Sequence, residues 1–348
     1  MRSSAASDVY KRQQLAYIEN LIKMAKKNNE LDYTYFKKSI DVDEAMKEPK
    51  EGQEFIDILQ KEDYGHMVLF SSAEKQQALN FFKYTNYYRF SVFPRLVVED
   101  NKRTFSNVLY LYNVDKYIRK QLSHFSGILE EWIKTSLANV ISNNYNSDEY
   151  QQAEFYLDLN IYGKEEQGKE ILASFAETVT RSKEVYIKYH HREKNGCIPV
   201  WVLIEELTFG QIDTFISQLK PEYKNMWIDK VFGKQYRKFV VSWVGVARYI
   251  RNMTAHHARF YSKRFVVFPS LPKEDLKKYS IKNSQKDNLF VMLFTEKKLF
   301  SFLPDRAIQD EWNLFIDDLS ELVDHSDDLF NCEENGFKED WRTALKIF

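Results

Sequence analysis

Between Phe105 and Asn143 apolar residues return at every third or fourth position, Tyr110, Tyr117, Leu122, Leu129, Ile133 and Leu137 among them. That spacing lines up one stripe of an α-helix and scatters over both faces of a strand. The stretch therefore predicts one or two long helices, which must bury their apolar stripe against other helices. Composition points the same way. Ten Gly and seven Pro in 348 residues fall well below the usual combined share of about 12%, and strand-like alternation is scarce, so the expected fold class is mainly α.

Further elements are read around that stretch. Leu15, Ile18, Leu21, Ile22 and Ala25 predict a helix from about Gln14 to Asn28. Acidic turns follow around Asp41 to Gly52, Ser71-Ser72 reads as the N-cap of a helix through Phe82, and Phe90 to Val98, interrupted by Pro94, reads as an irregular connector. Together 14–100 form a small N-terminal helical unit, with 101–348 the larger helical domain. Residues 1–13 lack both apolar periodicity and a secretory core and are read as a non-native or disordered tail. Beyond the loop-rich 144–165 stretch, helices are expected at 166–190, at Val200 to Leu207 with Gly210 as its stop, at 235–257, at 288–302 and at 305–325.

Charge is nearly balanced overall, at −1, but unevenly distributed. From Lys230 to Lys273 there are ten basic side chains and no Asp or Glu, whereas 305–340 carries thirteen acidic residues against Arg306 and Lys338. The basic segment suits an anionic partner. The acidic stretch is either a solvated helix face or an arm that competes for the basic surface. Two distant cysteines, Cys197 and Cys332, suggest no disulfide framework and fit a reducing cytoplasm. The longest apolar run, Phe239 to Ala247, is far shorter than the ~20 residues of a membrane span. His190, His191 and Cys197 are too few ligands for a zinc site, no Gly-rich phosphate loop is present, and neither metal nor cofactor is expected.

The basic segment contains the run Arg251-Asn252-Met253-Thr254-Ala255-His256-His257. Arginine keeps its charge and matches phosphate with a planar fork of donors, and histidine moves protons near neutrality. With Asn252 to orient them, these groups can break a phosphodiester without a metal. Five residues turn a helix by about 140°, so Arg251 and His256 do not share a face, whereas Arg248, Asn252 and His256 do. Either the helix end is distorted or a second subunit supplies the other half of the site, and the second subunit is the favoured reading. An Arg and two His at a helix C-terminus can also serve simply to complement its dipole.

These residues, continued by Arg259, Phe260, Tyr261, Ser262, Lys263 and Arg264, resemble the RNxxAHHxRxxNR signature of bacterial abortive-infection proteins of the AbiD/AbiF type. Further landmarks of that family occur in order: Asn86 to Ser91 resembles its NYYRLS box, and Phe105, Leu109-Tyr110 and Asp115 to Arg119 resemble its F…LYxFDRKLR helix. Leu129 to Leu137 matches the next helix loosely, Pro199 to Gly210 is similar to PxWVxxExLTFG, and Gly336-Phe337 with Trp341 is similar to the GFPxxW tail. Thr254, Ala258, Tyr261 and Ser262 depart from the usual residues, as does Phe90.

The family is similar to the HEPN superfamily, so the resemblance implies a HEPN-like helical bundle. It also implies a homodimer that joins two Arg-x4-His motifs in one cleft, and a metal-independent endoribonuclease acting in antiphage defence as a toxin. Arg251, Asn252 and His256 would be catalytic: the ribose 2′-hydroxyl attacks its own phosphate, His256 moves the proton and Arg251 stabilises the added negative charge. His257, Arg248, Arg259, Lys263 and Arg264 would contact RNA phosphate, and Tyr88 and Arg89 would stack on bases and clamp phosphate. Restraint by a bound non-coding RNA is a further implication. The alternatives are a non-catalytic HEPN-fold protein that binds a structured RNA, and a regulatory, antitoxin-like partner with no nuclease action.

Overall fold

The computed structural model describes residues 49–61, 66–326 and 328–348. The expected Gln14–Asn28 helix and the 1–13 tail lie outside the described residues. Residues 55–348 form one compact unit. The described residues are 66% helical with no strand, as the mainly α expectation requires.

In chain order the α-helices are α1 (Gln53–Leu59), α2 (Ser72–Phe81), α3 (Tyr87–Phe90), α4 (Phe105–Asn144), α5 (Glu165–Arg181), α6 (Val185–Glu193) and α7 (Val200–Glu206). They continue with α8 (Phe209–Gln218), α9 (Pro221–Val231), α10 (Val240–Ala255), α11 (Lys273–Lys278), α12 (Leu289–Phe300), α13 (Arg306–Asp324) and α14 (Trp341–Leu345). The 40-residue α4 is the axis of the molecule, about 60 Å long at 1.5 Å per residue. No proline interrupts it and Thr104 caps its start, so one helix forms where one or two were expected. α10 packs along α4 and is flanked by α12 and α8. Its Val240, Trp243, Val244, Val246, Ala247, Ile250 and Met253 are buried there, which leaves its C-terminal turn at the surface.

Three expected boundaries move, each for a local reason. The 166–190 helix breaks after Arg181, because the Ser182 hydroxyl accepts the Glu184 N–H at 3.1 Å and so offers the backbone a partner outside the helix. Gly210 is not a stop: α7 ends at Glu206, and Thr208 and Gln211 form a capping box that starts α8 with Gly210 in its first turn. The 235–257 helix begins at Val240, after a separate 3-10 turn at Lys234–Tyr236. The N-terminal elements are tightly joined to α4. Ser71 and Glu74 form a capping box on α2, and Glu74 also accepts from the Ser106 N–H at 2.9 Å and its hydroxyl at 2.6 Å. Phe81 and Phe90 pack on Phe105 and Tyr112 of α4.

The acidic stretch behaves as a solvated helix face. Trp312, Phe315, Ile316, Leu319 and Val323 of α13 are buried, and several of its outward acids have polar partners nearby. Asp317 pairs with Lys346 and Glu311 with His124, and Asp318 accepts from the Tyr117 hydroxyl at 2.7 Å. Among the buried polar residues is Glu296 on α12, which is fully buried with no hydrogen-bond partner for either carboxyl oxygen among the described residues. Burial pushes its carboxyl well above the ordinary range. No helix among the described residues is long and apolar enough to cross a membrane.

Candidate functional site

The Arg251–His256 run sits where α10 ends. Ala255 is its last helical residue and His256 caps it, the His256 N–H donating to the Asn252 carbonyl at 3.1 Å. His257 then adopts the left-handed conformation, φ +52°. The His257 N–H reaches the Thr254 carbonyl at 3.0 Å and the Ala258 N–H reaches the Met253 carbonyl at 2.8 Å, which is the paired bonding of a Schellman stop. Glycine usually fills that position, because a Cβ there costs about 1 kcal/mol or more. The four side chains differ in exposure. Asn252 is half-buried, and Arg251, His256 and His257 are exposed.

Arg251 is held from α4. Its Nε lies 3.1 Å from Oε2 of Glu130, whose other oxygen is 3.0 Å from Nζ of Lys134. The Glu130 side chain is 14% exposed and that of Lys134 10%, so both charges are largely withdrawn from water, where their attraction is less screened. Arg251 gives Glu130 its Nε, and its two terminal nitrogens have no partner among the described residues. One turn earlier, Arg248 Nε lies 2.7 Å from Asp213 Oδ2 of α8.

The segment after the helix is anchored through its backbone. Arg89 of α3 donates to the His257 carbonyl at 3.1 Å. Asp115 Oδ1 accepts the Phe260 and Tyr261 N–H groups at 2.7 and 2.8 Å, and its Oδ2 accepts from Arg119 at 2.8 Å. Burial pushes the Asp115 carboxyl up, while the two N–H groups and Arg119 oppose that shift. Asn335, itself buried, accepts the Ser262 N–H at 2.8 Å, and the Tyr261 hydroxyl bridges the Leu329 carbonyl and the Asn331 N–H. A loop of six residues is thus gripped from α3, α4 and the C-terminal segment.

The sequence model of the family described as Abi-like protein matches residues 80–262, more than half of the chain. The chain belongs to the Abi-like protein family. Membership associates it with abortive infection, a form of antiphage defence. No curated protein matches the chain, and no solved structure does. The matched stretch begins just before α3 and ends at Ser262, so it spans Arg89, Asp115, Arg119, Glu130, Asp213 and the whole anchored loop.

Two of the landmarks found in the sequence, at 86–91 and 105–119, meet the 251–262 segment in space. Their charged residues largely serve the loop: Arg89 donates to a backbone carbonyl, Asp115 accepts two of the loop's N–H groups, and Arg119 donates to Asp115 and to the Ala258 carbonyl. Tyr88, beside Arg89, is 72% exposed. The basic residues expected to touch RNA have unequal freedom. Arg259 is half-buried and donates to the Tyr261 and Ser262 carbonyls, and burial lowers its pKa and that of Lys263. Arg264 is exposed but lies 3.2 Å from Asp287. Glu130, Lys134 and Asp213 were not singled out from the sequence as parts of the site. A carboxylate four residues before a lysine on a helix was legible, but its pairing with Arg251 requires knowing how α4 and α10 cross. His190 directs Nδ1 at the Cys197 carbonyl, 2.8 Å away, and not at its thiol.

Proposed function

We propose that this Abi-like protein is a HEPN-type, metal-independent RNA endonuclease, nearest to the AbiD/AbiF group, and that it works as a homodimer. The reading is carried by one observation: Arg251 and His256 stand exposed at the end of a helix whose every neighbouring turn is fixed. Catalysis by positioned groups requires such fixed geometry. Glu130 orients the guanidinium and leaves its terminal nitrogens for a non-bridging phosphate oxygen, where they would offset the charge that builds up in the transition state. His256 takes or gives the proton of the ribose 2′-hydroxyl or the leaving 5′-oxygen, and Asn252 orients the substrate. The products are a 2′,3′-cyclic phosphate and a 5′-hydroxyl, so DNA is inert.

Five residues turn a helix by about 140°, so Arg251 and His256 need not meet within one chain, which supports a composite site made with a second subunit. His257, Arg248, Arg259, Lys263, Arg264, Tyr88 and Arg89 would then hold the RNA, the more exposed of them making the closer contacts. The Arg251–Glu130 ion pair also suits a chain that binds structured RNA without cutting it. Purified protein incubated with end-labelled RNA in EDTA separates the two. Cyclic-phosphate ends that fall at least about 100-fold in His256→Ala support the nuclease. Binding with no cleavage at all sinks it in favour of the scaffold.

A further inference from the structure

α6 is anchored to the molecule by a single buried residue, Ile187. The opposite side of this nine-residue helix carries Val185, Lys188, Tyr189 and Arg192, at spacings of three and four that place them on one stripe. Val185 is 79% and Tyr189 48% exposed. The flanking acids Glu184 and Glu193 project to either side of that stripe, given 100° per residue. None of Lys188, Arg192 and Lys194 has an ion-pair partner among the described residues; Lys188 Nζ donates to the Lys183 carbonyl at 2.5 Å, and Lys194 Nζ lies 5.8 Å from the Tyr189 ring centre. The helix is nonetheless held in place. The His190 ring meets the Cys197 carbonyl at 2.8 Å, and the Tyr186 hydroxyl donates to Glu206 at 2.5 Å.

An exposed ring bracketed by unpaired cations has a specific chemical complement: a chain that alternates flat faces with fixed negative charge. Single-stranded nucleic acid is such a chain, its bases stacking on aromatic rings while cations track its backbone. An apolar protein partner would leave three cations unmatched. An acidic one would match them but gain little from the ring. We infer that the α6 stripe is an RNA-strand contact surface outside the Arg251–His256 site. It rests on the reading that RNA is the ligand of this protein, and it adds a second place where that RNA is held, by stacking on Tyr189 and by phosphate contacts to Lys188 and Arg192.

The test uses the full chain carrying His256→Ala, so that binding is read without cleavage, and a fluorescein-labelled oligouridylate as the probe. Tyr189→Ala weakens binding about tenfold, and Tyr189→Phe, which keeps the ring, restores it. The pair Lys188→Glu and Arg192→Glu weakens binding further. It also lowers the slope of log affinity against log salt by about 1.4, from roughly 0.7 per lost contact to single strands. Unchanged affinity in these variants overturns the assignment, as does polyglutamate displacing the probe at equal charge concentration, which would mark a site for acidic protein. Should a variant fail to fold, 4-thiouridine crosslinking of the parent chain decides: adducts at Tyr189 support the surface, and adducts confined to other segments overturn it. The nuclease reading is judged by cleavage and this surface by binding, so either can fail alone.

Discussion

Arg251 on α10 and Glu130 on α4 meet at 3.1 Å, and the same carboxylate holds Lys134 at 3.0 Å. Glu130→Ala is expected to do two separable things. It leaves the nearly buried Lys134 ammonium without its partner, a loss of about 3 kcal/mol read from chemical denaturation. It also frees the Arg251 side chain, lowering RNA cleavage about tenfold or more in protein that remains folded. Full activity in folded Glu130→Ala would show that Arg251 needs no brace.

His257 holds a left-handed backbone with a side chain that ordinarily disfavours it, φ +52°. His257→Gly should therefore be more stable than the parent, by about 1 kcal/mol, whereas His257→Ala gains nothing. Urea midpoints for the three proteins check this. A glycine variant less stable than the alanine one would mean that the turn is not held as described.

Asp115 receives two loop N–H groups and Arg119. Asp115→Ala strands two buried backbone donors and a buried guanidinium, costing about 3–5 kcal/mol. Amide exchange should accelerate first at Phe260 and Tyr261. Protection unchanged at those two amides would contradict the grip on the loop.

Glu296 is fully buried and unpartnered, and its carboxyl titrates far above the ordinary range because burial disfavours the ion. The sign follows from linkage. Below the unfolded value, near 4.3, both states are protonated and the group is neutral in its effect. Above it the unfolded chain ionises while the folded one does not, so stability drains away as pH rises toward the folded pKa. Glu296→Met should thus stabilise the protein by about 1–3 kcal/mol at neutral pH and by less at pH ~4. A gain that does not grow with pH would show the carboxyl to be solvated.

The helices were legible where local chemistry decides them. Ser71 with Glu74 marks the start of α2, the unbroken spacing from Phe105 marks α4, and the apolar side of 243–250 gives α10 its buried face. What stayed hidden is carried by contacts between residues far apart in the chain. The bonds Arg251–Glu130, Asp115–Phe260 and Arg89–His257 span 121, 145 and 168 positions, and no periodicity encodes how two helices cross. The motif at 251–257 was visible because its residues adjoin in sequence, whereas its support was not. Gly210 misled for the opposite reason: a residue that often ends helices was here taken into the next one, because Thr208 and Gln211 cap ahead of it.

Both grips on the motif start from the same rod. Asp115, which fixes the loop, and Glu130, which fixes Arg251, lie fifteen positions apart on the continuous α4, about 22 Å along it and 60° around it. Losing or gaining one residue between them would rotate one grip by ~100° against the other. Length in that interval is consequently frozen like the tooth pitch of a gear.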